Sequence, residues 1–318
     1  LCPADRASHR QPQGSAVSDV VLVHGSTQSA AGFWRLSEAM VRRGHRALSV
    51  EVPSAAANTS TGYAELLAAH LAGIQRGRLA IMDPPEDDFF RRYDEVIAAR
   101  SRRIPLQHLT GTAAFGPLQL HVGPGVFIPR PETELMIEQA LVWAKDRPMQ
   151  PIRAADVGTG SGCIAVTLAL ELPDAEITAL DVSPAALQVA KANGSRHGVQ
   201  SRMHLEQGDL LSAFAPRSFD LICANLPYIP SERLADLAVA RREPRLALDG
   251  GPDGLALIGR LLPQVKRLLK PGGLALLEID DTHEDRALAL GRQYFPDQAE
   301  ILRDYQDKPR MLTVSTGG

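Results

Sequence analysis

Hydrophobic positions change their spacing several times along the chain. Asp19 to His24 (DVVLVH) is a short β-branched run, and Ala47 to Val52 is a second strand candidate. Helical spacing runs between them from Gly32 to Arg43, after a Gly25-Ser26 turn. Pro53 to Gly62, rich in Ser, Ala, Asn and Thr, predicts a linker. From Tyr63 to Arg103 the pattern is helical. Leu66, Leu67, His70, Leu71 and Ile74 share one face, and Phe89, Phe90, Tyr93, Val96 and Ile97 another. Asp83-Pro84-Pro85 separates two helices, a proline being well suited to a helix start. Together these residues predict a small helical module.

Residues 113–128 (AAFGPLQLHVGPGVFI) alternate and carry Gly-Pro punctuation, which predicts a β-hairpin. Pro129-Arg130-Pro131 leads into an amphipathic helix over Thr133–Ala144. Strand-like runs then recur at Ala154–Val157, Ile177–Leu180, Met203–Leu205, Leu221–Ala224 and Leu274–Ile279. Helical stretches between the first of them give the βαβ signature of a parallel sheet. Residues 150–318 are expected to form a doubly wound α/β domain.

Composition narrows the class. The chain has 318 residues, enough for about two domains with cores of their own. With 34 Lys+Arg against 37 Asp+Glu the net charge is -3, which argues against a broad nucleic-acid-coating surface. Cys2, Cys163 and Cys223 show no CxxC spacing, which fits a reducing compartment and excludes an all-cysteine zinc site, and no metal is expected. The polar start over residues 1–17 has no apolar signal core, and no apolar run approaches the ~20 residues of a membrane span. A cytoplasmic protein without a membrane partner is expected.

Ala154 to Gly162 (AADVGTGSG) sits where the first strand of that domain turns into its helix. Glycines there let a ligand approach the backbone, and the helix start offers free N–H groups. Asp156, Gly158, Thr159, Gly160, Ser161 and Gly162 are therefore cofactor candidates. Asp181 ends the next strand, where a carboxylate can accept both ribose hydroxyls of an adenosine ligand. Asp209 and Leu210 follow the third strand and are expected to face the adenine. A tight turn with no ligand is the alternative for the glycines alone; the acidic strand ends weigh against it. After the fourth strand comes Asn225-Leu226-Pro227-Tyr228, at the carboxyl end of a parallel strand, where such sheets bind ligands. Asn225 and the Leu226 carbonyl can hold both hydrogens of a planar NH2 group, Pro227 stiffens the turn, and Tyr228 offers a flat face. Asn225 also borders the cofactor. A plain β-turn is the alternative.

The Gly-x-Gly-x-Gly run, with an acidic residue two positions before it, resembles motif I of class I S-adenosylmethionine-dependent methyltransferases. The Rossmann-like fold and S-adenosylmethionine as cofactor follow from that resemblance. Asn225-Leu226-Pro227-Tyr228 is similar to the (Asn/Asp)-Pro-Pro-Tyr motif of enzymes that methylate planar amino groups, with Leu226 in place of the first proline. It is also similar to rRNA adenine dimethylases, so N6-adenine methylation of RNA or DNA is the rival function. Further stretches resemble the PrmC/HemK family, the release-factor glutamine methyltransferases: Leu106–Gly111, Phe115-Gly116, Phe127–Glu134, Asn225–Pro230, Glu243-Pro244 and Leu248–Leu255. That resemblance spans about residue 63 to the C-terminus. It implies methyl transfer to the side-chain amide nitrogen of the glutamine in a Gly-Gly-Gln loop, with a peptide chain release factor as protein partner, no direct nucleic acid, and a monomer. It also implies substrate contacts from Arg130, Glu132, Asn225, Leu226, Pro227 and Tyr228, with residues 59–112 as helical docking domain, 113–128 as hairpin linker and 129–318 as methyltransferase domain. Arg100, Arg102 and Arg103 are candidates for a protein-contact patch, against a plain solvated surface.

Residues 1–58 stand apart as an atypical extension. Val20 to Ser26 and Gly32-Phe33-Trp34 resemble the first strand and oxyanion loop of an α/β-hydrolase. That fold needs a Gly-x-Ser-x-Gly elbow, and the chain has none: Thr159 stands two residues before Ser161. Hydrolase chemistry is therefore not expected.

Overall fold

The computed structural model describes residues 19–24, 46–51, 54–81, 87–145, 147 and 151–317. The expected tail, the helix at Gly32–Arg43, the Gly25-Ser26 turn and the Asp83-Pro84-Pro85 break lie outside them. Two compact units emerge, residues 1–110 and 111–318.

In the first unit, β1 (Asp19–His24) and β2 (Arg46–Glu51) pair in parallel with Asp19 opposite Arg46. Helix α1 covers Ser54–Ala72, α2 Asp87–Ser101 and α3 Leu106–Thr110. The linker expected at Pro53–Gly62 is thus corrected: residues 54–62 are helical. Three consecutive alanines, Ala55 to Ala57, have the highest helix propensity, and the Ser, Asn and Thr beside them cost only tenths of a kcal/mol each. The module's core joins Leu67 and Ala68 to Phe89, Phe90 and Tyr93, with Val96 and Ile97 against it. Phe89 meets Phe90 edge-on at 5.5 Å and stacks on Tyr93 at 6.0 Å. Leu66 and His70 are exposed, contrary to the face assigned to them; Glu65 is buried instead and bonds Arg76. Arg100 is engaged within its own module, over the Tyr63 ring and on the Ile104 carbonyl.

The second unit opens on a short hairpin, β3 (Thr112–Phe115) and β4 (Leu118–His121), with Phe115 opposite Leu118. Its second arm ends earlier than the expected Ile128. Val122, Val126 and Ile128 are buried against Ala186 in an irregular path, because Gly123-Pro124-Gly125 interrupts the alternation. Helix α4 follows (Glu134–Lys145). Then strands and helices alternate: β5 (Arg153–Val157), α5 (Cys163–Glu171), β6 (Glu176–Asp181), α6 (Pro184–Arg196), β7 (Met203–Gln207), β8 (Phe219–Ala224), α7 (Ala256–Leu268) and β9 (Leu269–Glu278). After α8 (Glu284–Tyr294), β10 (Ala299–Arg303) and β11 (Pro309–Ser315) complete the sheet, and no sequence pattern had flagged that pair.

Strand order is β10-β11-β9-β8-β5-β6-β7, parallel from β9 to β7 and antiparallel through β11 and β10. The order reverses at β5. Its carboxyl end, flanked by those of β6 and β8, is the switch point where a ligand crevice forms in an open α/β sheet. Each sheet face is buried under helices. Ile258, Leu261, Leu262, Val265 and Leu268 of α7 cover one side with Leu277 and Ile222; Ile164, Ala165 and Leu168 of α5 cover the other with Ile177 and Cys223. Parallel strands covered on both faces read as unbroken apolar runs, which is why they were legible.

Candidate active site

A cavity of about 440 Å³ opens at that switch point. One end is the loop after β5. Gly158, Gly160 and Gly162 have φ of 73°, 55° and 80°, a region that L side chains enter at a cost. Here the positive φ is needed: the chain turns from β5 into α5 within five residues. Gly158 N and Thr159 N donate to the Leu180 carbonyl at 2.9 and 2.8 Å, and Gly160 N donates to Asp181 Oδ2 at 2.9 Å. Asp181 Oδ1 accepts from Ser183 N at 2.8 Å, and Ser183 caps α6 through Ala186 N. Each carboxylate oxygen keeps a further acceptor direction, so Asp181 retains the capacity to take a ribose diol.

Gly158, Thr159, Gly160, Ser161, Asp181, Asp209, Leu210, Asn225, Leu226, Pro227 and Tyr228 all line the cavity. Asp156, Gly162, Arg130 and Glu132 are not among its lining residues. Asp156 is wholly buried beneath the loop, where Oδ2 accepts from Thr159 Oγ1 at 2.6 Å and Ala165 N at 3.1 Å. It shapes the loop from beneath through these two bonds. Burial, with a smaller contribution from Asp181, raises its carboxyl to about 7 against the pull of those two bonds. Gly162 has another duty: a Cβ there would stand 3.1 Å from Ala190, so the missing side chain lets α6 pack against the start of α5. Asp209 reaches the cavity, yet its carboxylate pairs with Arg260 at 2.5 Å across an exposed surface.

Asn225 is held from behind. Its Nδ2 donates to Thr133 Oγ1 at 2.9 Å, and Thr133 Oγ1 donates to Glu278 Oε2 at 2.7 Å. Glu278 ends β9 and is almost wholly buried; desolvation raises it to about 7, opposed by the bonds from Thr133 and Tyr228. Burial and the nearby Glu278 push the Tyr228 phenol well above its ordinary value, so it stays protonated. Leu226 is buried, its side chain packed over Gly158, so the residue that replaces a proline anchors the loop by a different contact.

Two more stretches brace the reaction loop. Ile229 N donates to the Leu248 carbonyl and Gly250 N to the Ile229 carbonyl, a short parallel bridge that lays Leu248–Gly251 along Tyr228–Pro230. Asp249 accepts from Ser231 Oγ, Gly251 N and Arg245, which lower its carboxyl. On the other wall, Glu243 is buried and accepts from Ile128 N at 3.0 Å and Arg130 at 2.5 Å, while Arg130 stacks on Phe127.

Known proteins now bear on this geometry. A PrmC N-terminal domain model matches residues 40–111, and a Methyltransferase domain model matches residues 151–310. The release factor glutamine methyltransferase of Mycobacterium leprae is 44% identical over 257 residues, 79% of this chain and 88% of that protein. That of Streptomyces coelicolor is 44% identical over 223 residues, 69% of this chain and 77% of that protein. The chain belongs to the release factor glutamine methyltransferase family. It has the class I, S-adenosylmethionine-dependent methyltransferase fold. The catalytic domain of hMettl16, solved with the MAT2A 3′UTR hairpin 6, has that fold too, at a TM-score of 0.50 and 17% identity over 73% of this chain and 83% of that one.

For a release factor glutamine methyltransferase, the residues present fit the cofactor. A loop in which alternate residues are glycine, a carboxylate at the next strand end and a mostly apolar wall suit an adenosine-bearing sulfonium. Cys163 also lines the cavity, but burial raises its thiol to about 12, and Cys223 is raised as well, so neither is a nucleophile near neutrality. Sequence reasoning missed Glu278, and it flagged Glu243 only within a family-like motif, without a role. Both are acids in otherwise apolar or turn-rich stretches, and a strand-terminal Glu278 was a readable signal beside Asp156 and Asp181. It also missed Asn193, which bonds the His121 backbone twice and the Ser161 carbonyl, tying α6 to the hairpin and the cofactor loop. Among the described residues no helix is long and apolar enough to cross a membrane.

Proposed function

We propose that the chain transfers a methyl group from S-adenosylmethionine to the side-chain amide nitrogen of the glutamine in the Gly-Gly-Gln motif of a peptide chain release factor. The observation that carries this reading is the fixed Asn225. Its Nδ2 is committed to Thr133, which leaves Oδ1 as the side chain's acceptor, and Asn225 and Leu226 both line the cavity. Two carbonyl-type acceptors side by side match a planar NH2 donor.

An amide nitrogen is a weak nucleophile, because its lone pair is delocalised into the carbonyl. S-adenosylmethionine supplies, when bound, a methyl on a positively charged sulfur. What the chain adds is placement and charge stabilisation. Asn225 Oδ1 and the Leu226 carbonyl each accept one N–H, which fixes the plane of the amide, and Tyr228 gives that plane a flat neighbour. As the nitrogen–carbon bond forms and the sulfur–carbon bond breaks, the two N–H bonds become more acidic and both hydrogen bonds strengthen. Interactions that tighten in this way lower the barrier and not merely the KM. The amide releases one proton to solvent. Placement of this kind can supply about 7–11 kcal/mol.

Residues 59–112 dock the release factor, Glu132 meets the substrate at the rim, and Arg130 holds the wall behind Phe127. The enzyme works as a cytoplasmic monomer. Asn225→Ala tests the site: incubated with labelled S-adenosylmethionine and release factor, it loses turnover and keeps its cofactor affinity within about threefold. Equal loss of both would overturn the assignment, and so would a parent enzyme that labels RNA alone.

A further inference from the structure

We infer that Thr133 and Glu278 are positioning residues for the methyl transfer: through a directed chain of hydrogen bonds they fix which end of the Asn225 amide faces the substrate. The inference rests on the proposed function and goes beyond it, since both residues act through Asn225.

A threonine hydroxyl has one proton to give. Thr133 gives it to Glu278 Oε2 at 2.7 Å. Its oxygen can then only accept from Asn225, and does so from Nδ2 at 2.9 Å. An Asn amide is otherwise free to turn over, and the two orientations are nearly equal in shape and opposite in hydrogen bonding. Turned over, Asn225 would present N–H groups to the substrate N–H2, donor against donor. The carboxylate of Glu278 therefore selects the productive face of Asn225 by taking the threonine proton. Thr133 and Glu278 are 1% and 4% exposed, so water does not compete for either bond. They sit 145 residues apart in sequence, which places the device in the tertiary structure and not in a local turn.

A protonated Glu278 breaks the selection. Its own O–H can donate to Thr133, whose proton is then released towards Asn225 and favours the turned-over amide. The charged and titratable groups facing Glu278 are Glu132 before Thr133, Arg310 on β11, Tyr228 after β8 and Cys163 at the start of α5. Burial and Glu132 favour the protonated acid; Arg310, Thr133 and Tyr228 oppose it. The balance lies at about 7.

The experiment is steady-state methylation of release factor by the parent, T133V, T133S and E278Q, from roughly pH 6 to 9, with S-adenosylmethionine affinity measured in parallel. T133V removes the hydroxyl at almost constant shape and is expected to lower kcat by about thirtyfold, with KM and cofactor affinity changed by less than about threefold. T133S, which restores the hydroxyl, recovers most of that loss. The parent loses kcat as pH falls through about 7. E278Q does not titrate, so this acid-side fall disappears. The inference is overturned if T133V binds cofactor normally and turns over within about threefold of the parent, or if T133S falls as far as T133V. It is also overturned if E278Q keeps the acid-side fall. Should T133V fail to fold, T133S and the E278Q profile decide the matter. A parent that does not methylate release factor at all refutes the proposed function instead, a separate outcome.

Discussion

Gly250 offers a sharp test of the idea that catalysis here is placement. A Cβ added at residue 250 would stand 2.7 Å from Tyr228 Cα and 2.8 Å from both the Pro227 and Gly254 carbonyl oxygens. All three are backbone atoms, so none can swing aside as a flexible side chain would. To reach the 3.0 Å limit for such contacts, Tyr228 Cα must retreat by 0.3 Å; for ordinary contact at 3.4 Å it must retreat by 0.7 Å. The strand-like bridge between Ile229 and residues 248–250 transmits that movement to the loop holding Asn225 and the Leu226 carbonyl. If a misplacement of about 1 Å costs about a hundredfold, retreats of this size cost about 4- to 25-fold in kcat. Gly250→Ala is also expected to cost about 1–3 kcal/mol of stability through overpacking. The assay is single-turnover methylation of release factor, with cofactor affinity as the control for folding. The cofactor loop lies outside the displaced contacts, so that affinity should hold. A folded G250A with parental cofactor affinity and a single-turnover rate within about twofold of the parent would refute the reasoning.

Other consequences follow from the same packing. Gly259 lies in the interior of α7, where a Cβ would meet only Leu290 at 3.7 Å, so Gly259→Ala should raise stability by about 0.5–1 kcal/mol in denaturant titration and leave turnover unchanged. Asp156 has its carboxyl raised from 3.8 to about 7 by burial, so the folded chain holds a proton that the unfolded chain gives up. Its contribution is present below about pH 4 and is lost as pH rises through about 7, at most about 4 kcal/mol for a rise of that size. The parent should therefore lose thermal stability between pH 5 and pH 8 relative to Asp156→Asn, over roughly that window; parallel curves for the two would contradict the assignment.

How much of this was legible in the sequence depends on how local each signal is. The parallel strands were readable because both faces of the sheet are covered and their apolar runs are unbroken. The cofactor loop was readable because positive φ at Gly158, Gly160 and Gly162 leaves a compositional trace. Asp156 was placed in the right loop, but its bonds to Thr159 and Ala165 N were not readable: spacing reports that a carboxylate is needed and not which way it points. The helix at Ser54–Ala72 was masked by residues common in linkers, although its alanines are strong helix formers. Thr133, Glu278 and Glu243 act across 92 to 145 residues of sequence, which no periodicity records. The resemblance around Leu248–Leu255 was visible as a motif, but its physical role, a backbone brace for the reaction loop, emerged only from the fold.

The central claim is that one glutamine amide is the methyl acceptor, and mapping the product tests it most directly. Purified enzyme is incubated with labelled S-adenosylmethionine, release factor and ribosomal RNA together, and the methylated position is read by fragment mass spectrometry. One added methyl is expected on the side-chain nitrogen of the Gly-Gly-Gln glutamine, absent with Asn225→Ala. Label confined to adenines of the RNA, or to another residue of the release factor, would contradict it.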